Sequence, residues 1–421
     1  MFSFFDPAPP RDFFFVSSVS AQFLALGMDL SHETFFSHLA QTTDSPALIA
    51  VSHAEGIYIY DTDNKRYTDL ISGIGVSSLG HRHPKVVKAI KDQLDKHLHV
   101  MVYGEYIQST SNLLAKKITG LLPPNLNCCY FVNSGTEANE GALKLAKRYT
   151  GRTQLIACRK SYHGSTHGSL SVSGNEAKKQ AFRPLLPDVA FIDFNNKSDL
   201  KIITDRTACV IMETIQGDAG VRIPARDYMK ALRKRCDETG ALLILDEIQC
   251  GMGRTGTLFA FEQYDITPDI LTVAKAFGGG LPIGAFISDR KLMSCLRHDP
   301  MLGHITTFGG NPVCCASALE TLNILVEESL VEQVEEKGKL FESLLKHPNI
   351  KAVRRIGLMF AIDFESAEIV TKIVHKAKDL GVICYWFLSH PNSFRIAPPL
   401  TISRQQIEES CEIILKAIDN A

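Results

Sequence analysis

The sequence predicts an α/β chain built on a mostly parallel central sheet, followed by a smaller α+β unit. Three observations carry this. Between about Asn127 and Ser288, seven short apolar runs alternate with helical stretches, the pattern of strands buried on both faces by helices. At 421 residues the chain exceeds one ordinary core, so more than one domain is expected. Beyond long helical patterns from Cys314 to about Leu345, the remainder to Ala421 mixes short strands and helices.

The elements follow in order. Gly56–Asp61 alternates apolar and polar residues and breaks at Asp63-Asn64, a hairpin signal. Pro84 opens a helix with Val87, Ile90, Leu94 and Leu98 on its expected inner face. The seven predicted strands are Cys129–Val132, Leu155–Cys158, Val189–Phe194, Cys209–Met212, Ala241–Leu245, Ile270–Val273 and Ile283–Ile287.

Composition excludes several classes. Apolar residues make up 45% and charged residues 22%, ordinary for a globular chain, and a net charge of −1 argues against a nucleic-acid footprint or a polybasic membrane patch. No apolar run is long enough to span a bilayer. Eleven cysteines, an odd number without CxxC spacing, suit reduced thiols in a cytoplasmic protein and no metal site. The segment 1–27 carries Pro-Ala-Pro-Pro and Phe13-Phe14-Phe15-Val16. Its early charges, Asp6, Arg11 and Asp12, lack the basic start of an export signal, so a non-catalytic extension ahead of Met28 is expected.

Three stretches carry chemistry. In Phe131–Asn139 a strand ends, Ser134-Gly135-Thr136 turns, and a helix begins with Ala138, Ala142, Leu145, Ala146 and Tyr149 on one face. Free N–H groups at such a turn can hold a phosphate, and simple capping by Ser or Thr is the blander reading. In Leu242–Gln249, Asp246 follows a buried strand, where open α/β sheets bind ligands. The run also looks like the Walker B strand of an ATPase, but no GxxxxGK[ST] loop accompanies it. In Thr272–Gly280, Lys275 ends an apolar strand before a glycine run; burial there would supply the neutral amine that Schiff-base chemistry needs.

Together these stretches resemble the class III pyridoxal-phosphate (PLP) aminotransferases, close to the ornithine and acetylornithine enzymes, from about Gly56 to Thr401. Further matches are Ser161-Tyr162-His163-Gly164, Thr307-Phe308-Gly309-Gly310-Asn311-Pro312 and Phe394-Arg395-Ile396-Ala397-Pro398-Pro399-Leu400. The resemblance implies fold type I, with an N-terminal segment 28–80 joining the small domain, a large PLP domain 81–324 and a small domain 325–421. It implies Lys275 as Schiff-base lysine and proton shuttle, Asp246 at the pyridine nitrogen, and Gln249 near the 3′ oxygen. Tyr162 would lie on the ring face, Ser134, Gly135 and Thr136 at the phosphate, and Thr307 at the phosphate of a neighbouring subunit, making a homodimer. Arg395 would bind a substrate carboxylate and pair with Glu213 when none is present.

Three positions depart from the family pattern. Thr214 stands for a usual proline and Asp218 for a usual glutamate. Ser165 stands where these relatives carry the arginine that binds a far carboxylate, so pyruvate is expected to compete with 2-oxoglutarate better than in ornithine-type relatives unless Arg159 or another basic residue substitutes. His81 and His83 read as structural, and Trp386 as core or pocket wall. The expected reaction moves an amino group, a terminal one on an ornithine- or acetylornithine-like donor, to a 2-oxo acid, with 2-oxoglutarate favoured. The alternatives are an ω-amino acid:pyruvate aminotransferase, an aminomutase of the glutamate-semialdehyde type, or a PLP-fold protein without turnover. Lys275, Asp246 and Gln249 argue against the last.

Overall fold

The computed structural model describes residues 30–102 and 104–421, so the expectation for 1–27 lies outside the described residues. The chain divides into two compact units, residues up to 53 with 60–65, and residues 54–59 with 66–421. The first holds the helix Leu30–His38 and the turn at Asp61–Lys65, where Asp61 N–H donates to the Lys65 carbonyl and Asp61 Oδ1 accepts from the Asp63 and Lys65 N–H groups. That is the expected Asp63-Asn64 break. It joins strands β2 (Tyr58–Asp61) and β3 (Arg66–Asp69), which follow β1 (Val51–Glu55).

The second unit carries the seven-stranded sheet. All seven apolar runs are strands: β4 (Cys128–Val132), β5 (Gln154–Cys158), β6 (Val189–Ile192), β7 (Thr207–Glu213), β8 (Leu242–Asp246), β9 (Ile270–Val273) and β10 (Gly284–Ser288), in the order β4-β10-β9-β8-β7-β5-β6. Every pairing from β9 to β6 is parallel, while β10 runs antiparallel to both β9 and β4. β7 and β8 extend past their apolar runs to take in Glu213 and Asp246, because those carboxylates are held by hydrogen bonds that hydropathy does not register.

Register then does the positioning. Glu213 is paired with Asp246, and Asp246 with Thr272, so three polar side chains stand in one row at the carboxyl ends of adjacent parallel strands. Lys275 lies just beyond the same edge, two residues after β9. The helix Gly135–Thr150 packs below with Ala138, Ala142, Leu145 and Ala146 buried; Tyr149, expected on that face, is exposed.

The helix opened by Pro84 differs from expectation. It ends at Leu94, its buried residues are Val86 and Gln93, and Leu94 and Leu98 are exposed. Gln93 can turn inward because its amide is satisfied: it donates to the His97 carbonyl and accepts from Thr110 Oγ1. A polar residue on the inner face was not anticipated, and it rotates the helix.

The helices Pro312–Glu327 and Val334–Leu344 lead to the C-terminal part. There β11 (Ala352–Ile356), β12 (Met359–Asp363), β14 (Tyr385–Trp386) and β15 (Ser393–Ile396) form an antiparallel sheet in the order β11-β12-β15-β14. The helices Ala367–Asp379 and Arg404–Asp419 accompany it, and β13 (Val382–Ile383) pairs in parallel with β3. Trp386 sits on this edge strand, stacked on Tyr385, and lines neither cavity described below.

Arg254 ties distant stretches of this unit together. Its buried guanidinium donates to the carbonyls of Leu358 and Pro398 and to Ser78 Oγ, and burial lowers its pKa to about 10. Replacing it leaves three buried acceptors unpaired. Arg254→Met is expected to cost roughly 3 kcal/mol of stability, read as a fall in the urea midpoint.

Candidate active site

A cavity of about 500 Å³ opens at the carboxyl edge of β7, β8 and β9. It is lined by Ser134, Gly135, Thr136, Tyr162, Glu213, Asp246, Gln249 and Lys275, together with His163, Gly164, Ser165 and Ile248. Eight of the ten residues expected to form the site therefore meet in one place.

The floor is a buried carboxylate. Asp246 Oδ2 accepts from His163 Nδ1 at 2.7 Å and from the Asn139 amide at 2.8 Å, and Oδ1 accepts from the Ile248 N–H at 3.0 Å. Asn139 is held in turn by the Thr272 hydroxyl, which donates to its carbonyl oxygen at 2.8 Å, while its amide also donates to the His163 carbonyl. His163 Nε2 is buried without a hydrogen-bond partner. Asn139 and His163 fall inside the motifs named above, yet the sequence assigns neither a role. The available signal was a polar residue on the buried helix face, between Ala138 and Ala142.

Lys275 is half-buried overall, with its amino group deep in the protein. Burial lowers its pKa, against the raising effect of Asp246, and Arg395 is near enough to lower it further. Its backbone adopts φ +48°, a left-handed conformation that an L side chain rarely takes.

At the helix end both readings of the turn meet. Ser134 Oγ accepts the Glu137 N–H at 3.2 Å, so Ser134 is a true cap. Gly135 and Thr136 line the cavity ahead of the first intrahelical bond, from Ala138 N–H to the Ser134 carbonyl. Close packing fixes the turn: a Cβ on Gly135 would stand 2.8 Å from Ile248 Cδ1, and one on Gly164 2.2 Å from Thr136 Oγ1.

The expected pair of Glu213 with Arg395 is not formed. Glu213 already receives the N–H groups of Tyr162 and Gly217, each at 3.0 Å, and burial raises its pKa to about 7. Arg395, itself buried, donates to Asp218 Oδ1 at 3.3 Å and to the Trp386 carbonyl at 3.1 Å, and lies over the Phe387 ring. Asp218, which stands where the family usually has glutamate, is thus the anion beside Arg395.

The other departures also have an account. The Thr214 hydroxyl donates to Glu247 Oε1 at 2.9 Å, joining the N–H groups of Ala260 and Phe261 on a buried carboxyl whose pKa burial raises to about 7; a proline there would offer no such donor. The Ser165 hydroxyl shares a hydrogen bond with Tyr162. Arg159 is exposed and paired with Asp193, so it does not replace the missing arginine. His81 bonds to Asp69, a structural role. Thr307 is exposed and outside this cavity.

Comparison with known proteins identifies the family. The family model for class-III aminotransferases matches residues 39–418. An acetylornithine aminotransferase of Methanocaldococcus jannaschii is 39% identical over 377 residues, covering 86% of this chain and 91% of that protein. Among solved structures, a transaminase from the marine bacterium Virgibacillus superposes with a TM-score of 0.87 at 27% identity, covering 93% of this chain and 98% of that one. The ornithine aminotransferase of Toxoplasma gondii, described with PLP at its active site, superposes with a TM-score of 0.85 at 28% identity, covering 95% and 97%. This chain belongs to the class-III aminotransferases and is a PLP-dependent transaminase.

Proposed function

We propose that the protein transfers a terminal amino group from an ornithine- or acetylornithine-like donor to a 2-oxo acid, with 2-oxoglutarate favoured. The observation that carries this is the meeting of Lys275 and Asp246 in one cavity, beside a helix end able to hold an anion. The lining fits the cofactor: about 500 Å³ of space, a buried acceptor at one side, free N–H groups at another, and an amine of lowered pKa between. When bound, PLP supplies an electron sink for the carbanion left by deprotonation of the donor.

The chain's own residues do the rest. Asp246, fixed by His163 and Asn139, would be the carboxylate that keeps the ring nitrogen protonated. Gly135, Thr136 and Ser134 would hold the phosphate through N–H groups and hydroxyls. Tyr162 and Gln249 would hold the ring from the cavity wall. Lys275 would hold the cofactor through its amine and, when that amine is free, would serve as the general base and acid that moves a proton.

Arg395 binds the α-carboxylate of the amino-acid or oxo-acid partner, and Asp218 holds it when no carboxylate is present. Glu213 lines the substrate side and acts through the backbone it fixes. Arg395 stands outside the residues that line the cavity, and Ser165 stands in the lining where a second arginine is usual, which makes pyruvate the second reading for the acceptor.

We assign Thr307 to the phosphate of a second copy in a homodimer. The exposed Leu98, Tyr106, Ile107 and Phe308 support this, since the Asn311 amide donates to the Leu98 carbonyl and so joins the Leu98 stretch to the Thr307 loop. Eleven free cysteines support a cytoplasmic setting. We keep 81–324 as the cofactor domain and 325–421 as the small domain.

Addition of a donor amine is expected to bleach the visible band of the bound cofactor, and addition of 2-oxoglutarate to restore it. Lys275→Ala should remove both responses while leaving the fold intact by circular dichroism; normal turnover in that variant would refute the role of Lys275. Arg395→Lys should raise KM for the oxo acid about ten- to a hundredfold, the worth of a lost bidentate contact in a closed site. An unchanged KM would remove Arg395 from the substrate contacts.

A further inference from the structure

A second cavity of about 410 Å³ adjoins the first, with Tyr162 and Ser165 in the walls of both. Asn175, Lys178, Leu388 and Ser389 also line it. Ser165, sharing a hydrogen bond with the Tyr162 hydroxyl, therefore stands at the boundary of the two spaces, with a side chain too short to fill it.

The charges around this second space do not balance. Asp218 lies 3.6 Å from Lys178 Nζ and 3.3 Å from Arg395, so one carboxylate serves two cations. Its oxygens also accept the Ser389 hydroxyl at 2.6 Å and the Leu388 N–H at 3.2 Å. Glu176, two residues before Lys178, is occupied by Arg183 and Lys179. Two cations and one shared anion leave an excess of positive charge, and the Lys178 side chain keeps 31% of its surface open. The Asn175 amide donates to Ser389 Oγ at 3.0 Å, which ties the two sides of this wall together before any ligand arrives.

We propose that this second cavity takes the distal end of the substrate and that Lys178 binds a second carboxylate there. The proposal rests on the aminotransferase reading above and deepens it. Arg395 takes the carboxylate next to the reacting carbon, and Lys178 takes the far one, so the acceptor and product class is dicarboxylic. An ammonium is a point charge without a planar fork, so it selects by charge and reach more than by orientation. A shorter monocarboxylic partner fills the first cavity and leaves the charge at Lys178 unanswered.

The test is calorimetric titration of the PLP-loaded protein with glutarate and with pentanoate, acids of equal chain length. Wild type is expected to bind glutarate at least about tenfold more tightly, the usual worth of one charge-assisted contact. Lys178→Met should erase that preference, Lys178→Arg should keep most of it, and pentanoate should bind all three alike. Absence of the preference in wild type, its survival in Lys178→Met, or a loss shared equally by both acids would overturn the proposal. Failure of the aminotransferase reading would show elsewhere, as a wild-type cofactor band that no donor amine bleaches.

Discussion

The architecture of the site depends on one buried carboxylate. Asp246 sits at the end of a strand covered on both faces, where an unsupported charge would be driven to neutralise. Donors from three directions hold it: the Asn139 amide, the His163 ring and the Ile248 N–H. Each donor fixes a different piece of chain. Asn139 sets the rotation of the helix that presents Gly135 and Thr136, and His163 sets the loop that presents Tyr162 and Ser165. Ile248 begins the turn that brings Gln249 to the cavity.

The same logic runs along the strand ends. Parallel register puts Glu213, Asp246 and Thr272 side by side; Glu213 is satisfied by backbone N–H groups, and Asp246 and Thr272 share Asn139. A row of polar groups at one sheet edge is tolerable because the chain reverses there and exposes its N–H groups in loops. The sheet gives position and the loops give donors. Within the described residues, the cavity needs both.

Much of this was legible in the sequence. Seven strands announced themselves as apolar runs, and Lys275, Asp246 and the Ser134–Thr136 turn could be read from their places at strand ends. What escaped reading were pairings between polar groups distant in sequence. Nothing local distinguishes Asp218 from Glu213 as the partner of Arg395, since the choice turns on which carboxylate the folded chain brings beside the guanidinium. Thr214 looked like a neutral change because its partner, Glu247, lies 33 positions away. Gln93 was passed over for the helix face because its partners, His97 and Thr110, were not foreseeable from periodicity.

The left-handed backbone at Lys275 has a consequence for how such a protein ages in evolution. The conformation costs an L residue about 1 kcal/mol or more, and a glycine would rest there without it. A duplicated copy released from selection for chemistry thus has one of its gains in robustness at the residue on which its chemistry depends. Loss of activity is downhill for the fold, and a silent paralogue could outlast its active parent in heat or denaturant. Persistence of this fold in a cell is therefore poor testimony that the reaction persists with it.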